Sequence, residues 1–241
     1  YFMISSAFEY DDNGNLTLVD FGPNSMSYTY DSANQLIREN SSFADRTWVW
    51  AYDNAGNILS RTEYAYTTGE LGEPIDTVLY DYTDSDWGDL LTSYDGQTIT
   101  HDSVGNPLSD GTWNYTWEQG RQLASMTDGT TAWEYTYDAN GMRTSRSNGT
   151  ATYRYVYNGG QLRQMTVGGN TLTFTYDVNG TPAAVTYNGT VYYYIATLQG
   201  DVLMILNADG DIVVDYTYDA WGRLISSSGT MVSTLGTINP L

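Results

Sequence analysis

The chain has 241 residues, with 29 Asp and Glu against nine cations, all of them Arg, and a net charge of −20. Such a polyanion repels phosphate backbones and anionic lipid headgroups, so nucleic-acid and membrane-surface binding are set aside. With no Cys and a single His, it has neither a disulfide framework nor a thiolate metal site, and few ways to assemble acid–base chemistry.

The N-terminus carries no basic segment followed by an apolar run, so no signal peptide is read there. Because Tyr1 stands where a start Met would, the sequence is expected to be a piece of a longer chain. No apolar run anywhere approaches the roughly 18 residues of a membrane span, and no membrane insertion is expected. The first predicted element is a hairpin whose turn reads Tyr10-Asp11-Asp12-Asn13-Gly14-Asn15-Leu16. The pattern returns as Tyr30-Asp31-Ser32-Ala33-Asn34-Gln35-Leu36 and as Tyr52-Asp53-Asn54-Ala55-Gly56-Asn57-Ile58. From Thr62 to Gly120 it loosens into a stretch with twelve acidic residues and no Arg, and Gly69–Pro74 reads as a loop inserted at a hairpin tip. Degenerate copies begin at His101, Trp117 and Tyr157; clear ones stand at Tyr137-Asp138-Ala139-Asn140-Gly141, Tyr176-Asp177-Val178-Asn179-Gly180 and Tyr218-Asp219-Ala220-Trp221-Gly222. Copies start at 10, 30, 52, 80, 101, 117, 137, 157 and 176, a period near 20 residues. After about Tyr192 the turns tighten to every 10–12 residues.

Each fixed position has a physical reason. Asp after the aromatic residue accepts a hydrogen bond from backbone two residues on, starting the reversal. Gly at the fifth position supplies the positive φ that a tight hairpin or its bulge demands. Upstream of the turns the residues alternate with period two, which puts Trp48, Trp50 and Tyr52 on one face, and Tyr153, Tyr155 and Tyr157 on another. With 15% aromatics and 24 Gly, the prediction is an all-β chain. About ten antiparallel hairpins stack into one long curved spiral sheet with aromatic ladders across its strands.

The Tyr-Asp-x-x-Gly-x-Leu/Ile pattern at this period resembles the YD-repeat, or Rhs, family. Leu198-Gln199-Gly200-Asp201-Val202, Val214–Leu224 and Asn239-Pro240-Leu241 are similar to the opening of the Rhs repeat-associated core. The resemblance divides the chain into hairpin repeats over 1–191 and the start of the core over 192–241, with no real linker. It implies a secreted or surface protein of bacteria whose repeats wind into a hollow β-shell enclosing a variable C-terminal toxin. The family's autoproteolytic motif contains an Asp-Pro step, and this sequence has none. The role expected is structural and non-enzymatic, with the rest of the parent chain and the enclosed toxin as partners. The alternative is an adhesin or fibre module that binds glycans or self-associates through strand edges.

The residues expected to carry the architecture are the turn positions Asp11, Gly14, Asp53, Gly56, Asp138, Gly141, Asp177, Gly180, Asp219 and Gly222. Candidates for chemistry fare worse. His101 sits where Tyr sits in other copies and reads as a substitute for it. A glycosidase needs two carboxyls roughly 5–10 Å apart in a cleft, and Asp84, Asp86 and Asp89 beside Trp87 are the least repeat-like acidic group; a solvated loop explains them more simply. Asn207-Ala208-Asp209-Gly210-Asp211 and Asp11–Asn15 only partly match a calcium loop, so no cofactor is expected beyond weak Ca²⁺ binding through net charge. Sequons at Asn114 and Asn188 are what an Asn-, Ser- and Thr-rich chain produces by chance.

Overall fold

A computed structural model describes residues 7–197 and 200–241. Leu198 and Gln199, which belong to the core-like motif, lie outside the described residues. The strands are antiparallel and follow one another in chain order. The first sheet runs β1 (Ala7–Tyr10), β2 (Leu16–Asp20), β3 (Ser25–Tyr30), β4 (Leu36–Ser41) and β5 (Arg46–Tyr52). It continues through β6 (Ile58–Ala65), β7 (Asp76–Asp81), β8 (Ser93–Tyr94) and β9 (Gln97–Thr98). The second begins with β10 (Thr100–His101), β11 (Pro107–Ser109), β12 (Asn114–Glu118), β13 (Gln122–Thr127), β14 (Ala132–Tyr137) and β15 (Arg143–Ser147). It goes on through β16 (Thr152–Asn158), β17 (Gln161–Val167), β18 (Asn170–Tyr176), β19 (Pro182–Tyr187) and β20 (Thr190–Ala196). It ends with β21 (Val202–Leu206), β22 (Ile212–Tyr218) and β23 (Leu224–Ser228), followed by one helical turn at Val232–Gly236.

The hairpin fold is the one expected, with one correction. The ladder is not a single sheet but two, interrupted between Thr98 and Thr100. The reason is local: β8, β9 and β10 are two residues long, too short to carry a twisted ladder onward. Ile99 between them donates its N–H back to the Thr92 carbonyl at 2.8 Å. The interruption falls in the acidic stretch, where the repeat is degenerate.

The chain groups into two compact units, Tyr1–Thr100 with Tyr218–Arg223, and His101–Thr217 with Leu224–Leu241. The first buries Val19, Trp48, Trp50 and Val78 together with an unusual set of polar side chains, Glu39, Asn40, Ser41, Thr47, Arg61 and Asp219. The second has an apolar core in its later strands, with Leu172, Val185, Ile205 and Val214 fully buried. There Tyr194 and Tyr216 direct their hydroxyls to Asn239 Oδ1 at 2.7 Å and the Gly236 carbonyl at 2.9 Å, tying the C-terminal segment to that core.

The alternation read from the sequence is visible in both units. On β5, Trp48 and Trp50 are buried while Ala51 is exposed; on β16, Tyr153, Tyr155 and Tyr157 are half-buried while Arg154 and Val156 face solvent.

Candidate functional site

At each clear copy the first carboxylate closes the turn from both sides. Asp53 Oδ1 accepts the N–H of Ala55 at 2.8 Å and of Asn57 at 2.9 Å, and its Oδ2 accepts Asn57 Nδ2 at 2.9 Å. The same pair of bonds to residues two and four further on recurs at Asp11, Asp31, Asp102, Asp138, Asp177 and Asp219. Asn207 makes it with an amide oxygen. The side-chain bond from Asn15 and the N–H donors of the turn hold the Asp11 carboxyl below the usual carboxylate range, and Asn57 does the same for Asp53.

The backbone adds an N–H from Gly56 to the Asp53 carbonyl at 3.2 Å, a type I turn, and Gly56 follows at φ +93°. This is the three-residue hairpin with its bulge, and a left-handed residue is required at that position. Gly14, Gly141, Gly180 and Gly222 take the same left-handed conformation, and Asn34 takes it in the second copy.

In five copies the aromatic residue at the head has a role that periodicity alone does not reveal. Tyr30 Oη donates to the Leu16 carbonyl at 3.0 Å, Tyr52 Oη to Leu36 at 2.7 Å, Tyr137 Oη to Leu123 at 3.0 Å and Tyr176 Oη to Leu162 at 2.7 Å. Trp117 Nε1 donates to the Pro107 carbonyl at 2.7 Å in the same way. Each of these five copies is thereby pinned to the carbonyl of the residue that opens the returning strand of the copy before it. Burial, reinforced by the Asp31 charge, pushes the Tyr52 phenol up to about 12, so its hydroxyl stays a donor throughout the physiological range. Adjacent turns also meet: Asn13 and Asn15 both donate to Asn34 Oδ1, at 3.0 and 2.8 Å.

Unit 1 contains a cluster of buried charge that sequence reasoning missed apart from Asp219. Glu39 on β4 is fully buried, its Oε2 accepting the Ala220 N–H at 2.8 Å and its Oε1 without a hydrogen-bond partner. Burial pushes its carboxyl up to about 8; the Ala220 bond pulls the other way, and the Asp219 charge adds to the rise. Arg61 Nη1 lies 3.8 Å from Asp219 Oδ2, which also meets Arg223 Nε at 3.1 Å. Trp221 in the same turn sets its ring edge-on to Trp50, centroids 6.4 Å apart. Next to this group, Glu63 receives Arg46 Nε at 2.7 Å and Trp48 Nε1 at 3.1 Å. Nothing in the strand Leu36–Ser41 marks Glu39 for burial, since its partner is 181 residues away along the chain.

Unit 2 interposes guanidinium groups between its aromatic rows. Arg146 on β15 lies 5.2 Å from the Trp133 ring and 4.1 Å from the Tyr153 ring. Arg143 lies 4.6 Å from Tyr135 and 5.9 Å from Tyr137, and Arg163 lies 5.2 Å from Tyr176.

The residues considered for chemistry are placed apart from these features. His101 ends the two-residue strand β10. Asp84 Oδ1 accepts the N–H groups of Asp86 at 2.9 Å and Trp87 at 2.8 Å, a loop-closing role, and Asp89 Oδ1 takes Asn57 Nδ2 at 3.4 Å. Among the described residues no group of three or more His, Asp or Glu is placed to hold a metal ion.

The teneurin YD-shell family model matches residues 3–237. The chain belongs to the teneurin YD-shell family. Two bacterial relatives are 30% identical to this YD-shell segment over 202 residues, 80% of it: the tRNA3(Ser)-specific nuclease WapA of Bacillus spizizenii and the tRNA nuclease WapA of Bacillus subtilis. The segment spans only 8% of the length of each. The crystal structure of TcdB2-TccC3-Cdc42 has the same fold over 95% of the segment and 14% of its own chain, with a TM-score of 0.61 at 14% identity. TcdB2-TccC3 without its hypervariable C-terminal region gives 0.60 at 15% identity over the same shares.

Proposed function

We propose that this YD-shell segment is a piece of wall in a secreted or surface-displayed bacterial protein whose shell encloses a C-terminal toxin. Its own contribution is structural, with no residue assigned a catalytic role, and residues 192–241 form the start of the core that follows the repeats. The observation that carries the reading is the hydrogen bond from the leading aromatic residue of one copy to the strand-opening carbonyl of the previous copy. That bond lets hairpins add side by side without a separate scaffold. The relatives named as tRNA nucleases resemble the segment over 8% of their length, which leaves most of such a protein for an active segment distinct from the wall. No helix among the described residues is long and apolar enough to cross a membrane.

The test is limited proteolysis of the parent protein. Under native conditions, the segment beyond the core is expected to resist a protease that cleaves it readily once the shell is denatured. Equal cleavage in both states would refute enclosure.

A second reading has a specific observation behind it. Among the described strands β1 pairs on one side only, with β2, and an open edge is a template for a second chain. A fibre or adhesin built this way would show a mass that rises with concentration in light scattering, and a monomeric mass throughout would exclude it. The exposed Trp87 and Trp221 are the rings a glycan array would probe.

A further inference from the structure

The Arg and aromatic face of unit 2 is left unexplained by a passive wall. Its three arginines stand in a chain with 29 carboxylates, yet none of the ion pairs among the described residues involves Arg143, Arg146 or Arg163. The Nε atoms of all three are buried without a hydrogen-bond partner. Arg163 gives one donor to Gln161 Oε1 at 2.8 Å; among the described residues Arg143 and Arg146 are held by their ring contacts.

The bulge is what assembles this face. Tyr137 pairs with Arg143, but Thr136 pairs with Ser145, so β15 carries one residue more than β14 at that point. Residues three apart on a regular strand point to opposite faces. The extra residue returns Arg143 to the side that carries Arg146, where both sit against the rings of Trp133, Tyr135 and Tyr153. A guanidinium stacked on rings has its flat faces occupied and its in-plane donors left over. Those donors form a fork that matches the two oxygens of a carboxylate.

We infer that the β14–β16 face around Arg143 and Arg146 binds the carboxylates of an extended acidic polypeptide segment. Charge complementarity identifies the occupant, because the outer guanidinium nitrogens of Arg143 and Arg146 make no ion pair with any carboxylate among the described residues. Spacing agrees with it. Two strand steps cover about 6.6 Å, the distance between alternate side chains of an extended peptide lying along β15. The charge elsewhere on the protein opposes this only weakly in physiological salt, where the Debye length is about 8 Å.

The experiment is calorimetric titration of the 241-residue chain with an octaglutamate peptide in about 0.15 M salt, the physiological ionic strength. Saturable binding is expected, weakened about tenfold or more in R143Q/R146Q, as loss of charge-assisted bonds implies. R146K keeps the charge but not the planar fork and is expected to weaken binding as well. R154Q, on the exposed opposite side of β16, is expected to leave it unchanged. Melting curves recorded on each variant show that it is folded, and R146K carries the test if the double variant is not. The inference is overturned by no binding to the unmodified chain, by an equal loss in R154Q, or by tighter binding of oligothymidylate than of octaglutamate.

Discussion

In the copies that start at 10 to 176 the head is an aromatic ring with a hydrogen to give: Tyr in most, Trp117 and His101 in two, Phe in none, whereas the tighter turn at Asn207 is headed by Leu206. That restriction is legible in the sequence, but its target is not, because the accepting carbonyl belongs to the copy before. Tyr52→Phe keeps the ring and removes the donor, leaving the Leu36 carbonyl unsatisfied, and is expected to cost about 0.5–1.5 kcal/mol by thermal melting. The same change at exposed Tyr193 is expected to leave the melting temperature unmoved. Two glycines are demanded for different reasons. Gly56, at φ +93°, is expected to resist Val by about 1–2 kcal/mol from backbone strain. Gly229 combines φ +113° with a close approach, since a Cβ there would overlap the Val213 carbonyl and carbon. Gly229→Ala is therefore expected to cost about 1–3 kcal/mol, an overpacking effect. At Gly14 a Cβ meets nothing within 4 Å, so Gly14→Ala brings only the backbone term and a smaller loss.

At the scale of the hairpin, the Asp of each turn organises three or four donors at once, and its chemistry reads directly from Tyr-Asp-x-x-Gly. Asn207 shows that an amide oxygen serves equally in geometry. Asp53→Asn is therefore expected to melt close to the unmodified chain and Asp53→Ala clearly below it. The turn carboxyls also set an acid limit. Asp11, Asp53, Asp102 and Asp128 are held below the ordinary value of 3.8 by the hydrogen bonds they accept. A depressed carboxyl contributes stability above 3.8 that is lost as pH falls through its folded value, so a series of melts below pH 4 is expected to decline stepwise with acid. The period of the hairpins was readable, but the length of individual strands was not. The two-residue strands β8 to β10 arise where the repeat decays, and there the ladder divides. Nor does any residue pattern announce that a bulge returns Arg143 to the face of Arg146, because simple alternation assigns the two to opposite sides.

At the scale of the whole chain, the pairing of residues far apart in sequence is what a repeat pattern hides most completely. Glu39 reads as one more solvated acid on a strand, yet it is sealed under the turn Tyr218–Arg223 within unit 1. Its carboxyl titrates near 4.5 in an unfolded chain and about 8 when buried. Between those values the folded chain holds the extra proton. The stability due to the neutral form is full below about pH 4.5, declines as pH rises through the window, and is gone above about pH 8. A melting temperature that falls across that range in the unmodified chain, and stays flatter in Glu39→Gln, is the expected result. Identical slopes in the two would show that Glu39 is solvated. Together with the acid limit of the turns, this places the stability maximum on the mildly acidic side of neutrality.

The bond from ring to neighbouring carbonyl has one more consequence, which concerns how such chains change over generations. Donor and acceptor sit at the same places in the five copies that make the bond, and the acceptor is a backbone atom that each residue supplies. A block of about 20 residues lost or gained by unequal crossover would leave every remaining donor opposite an equivalent acceptor. The array can thus lengthen or shorten by whole hairpins with no compensating substitution, and partial losses, which break the phase, are the ones that selection would remove.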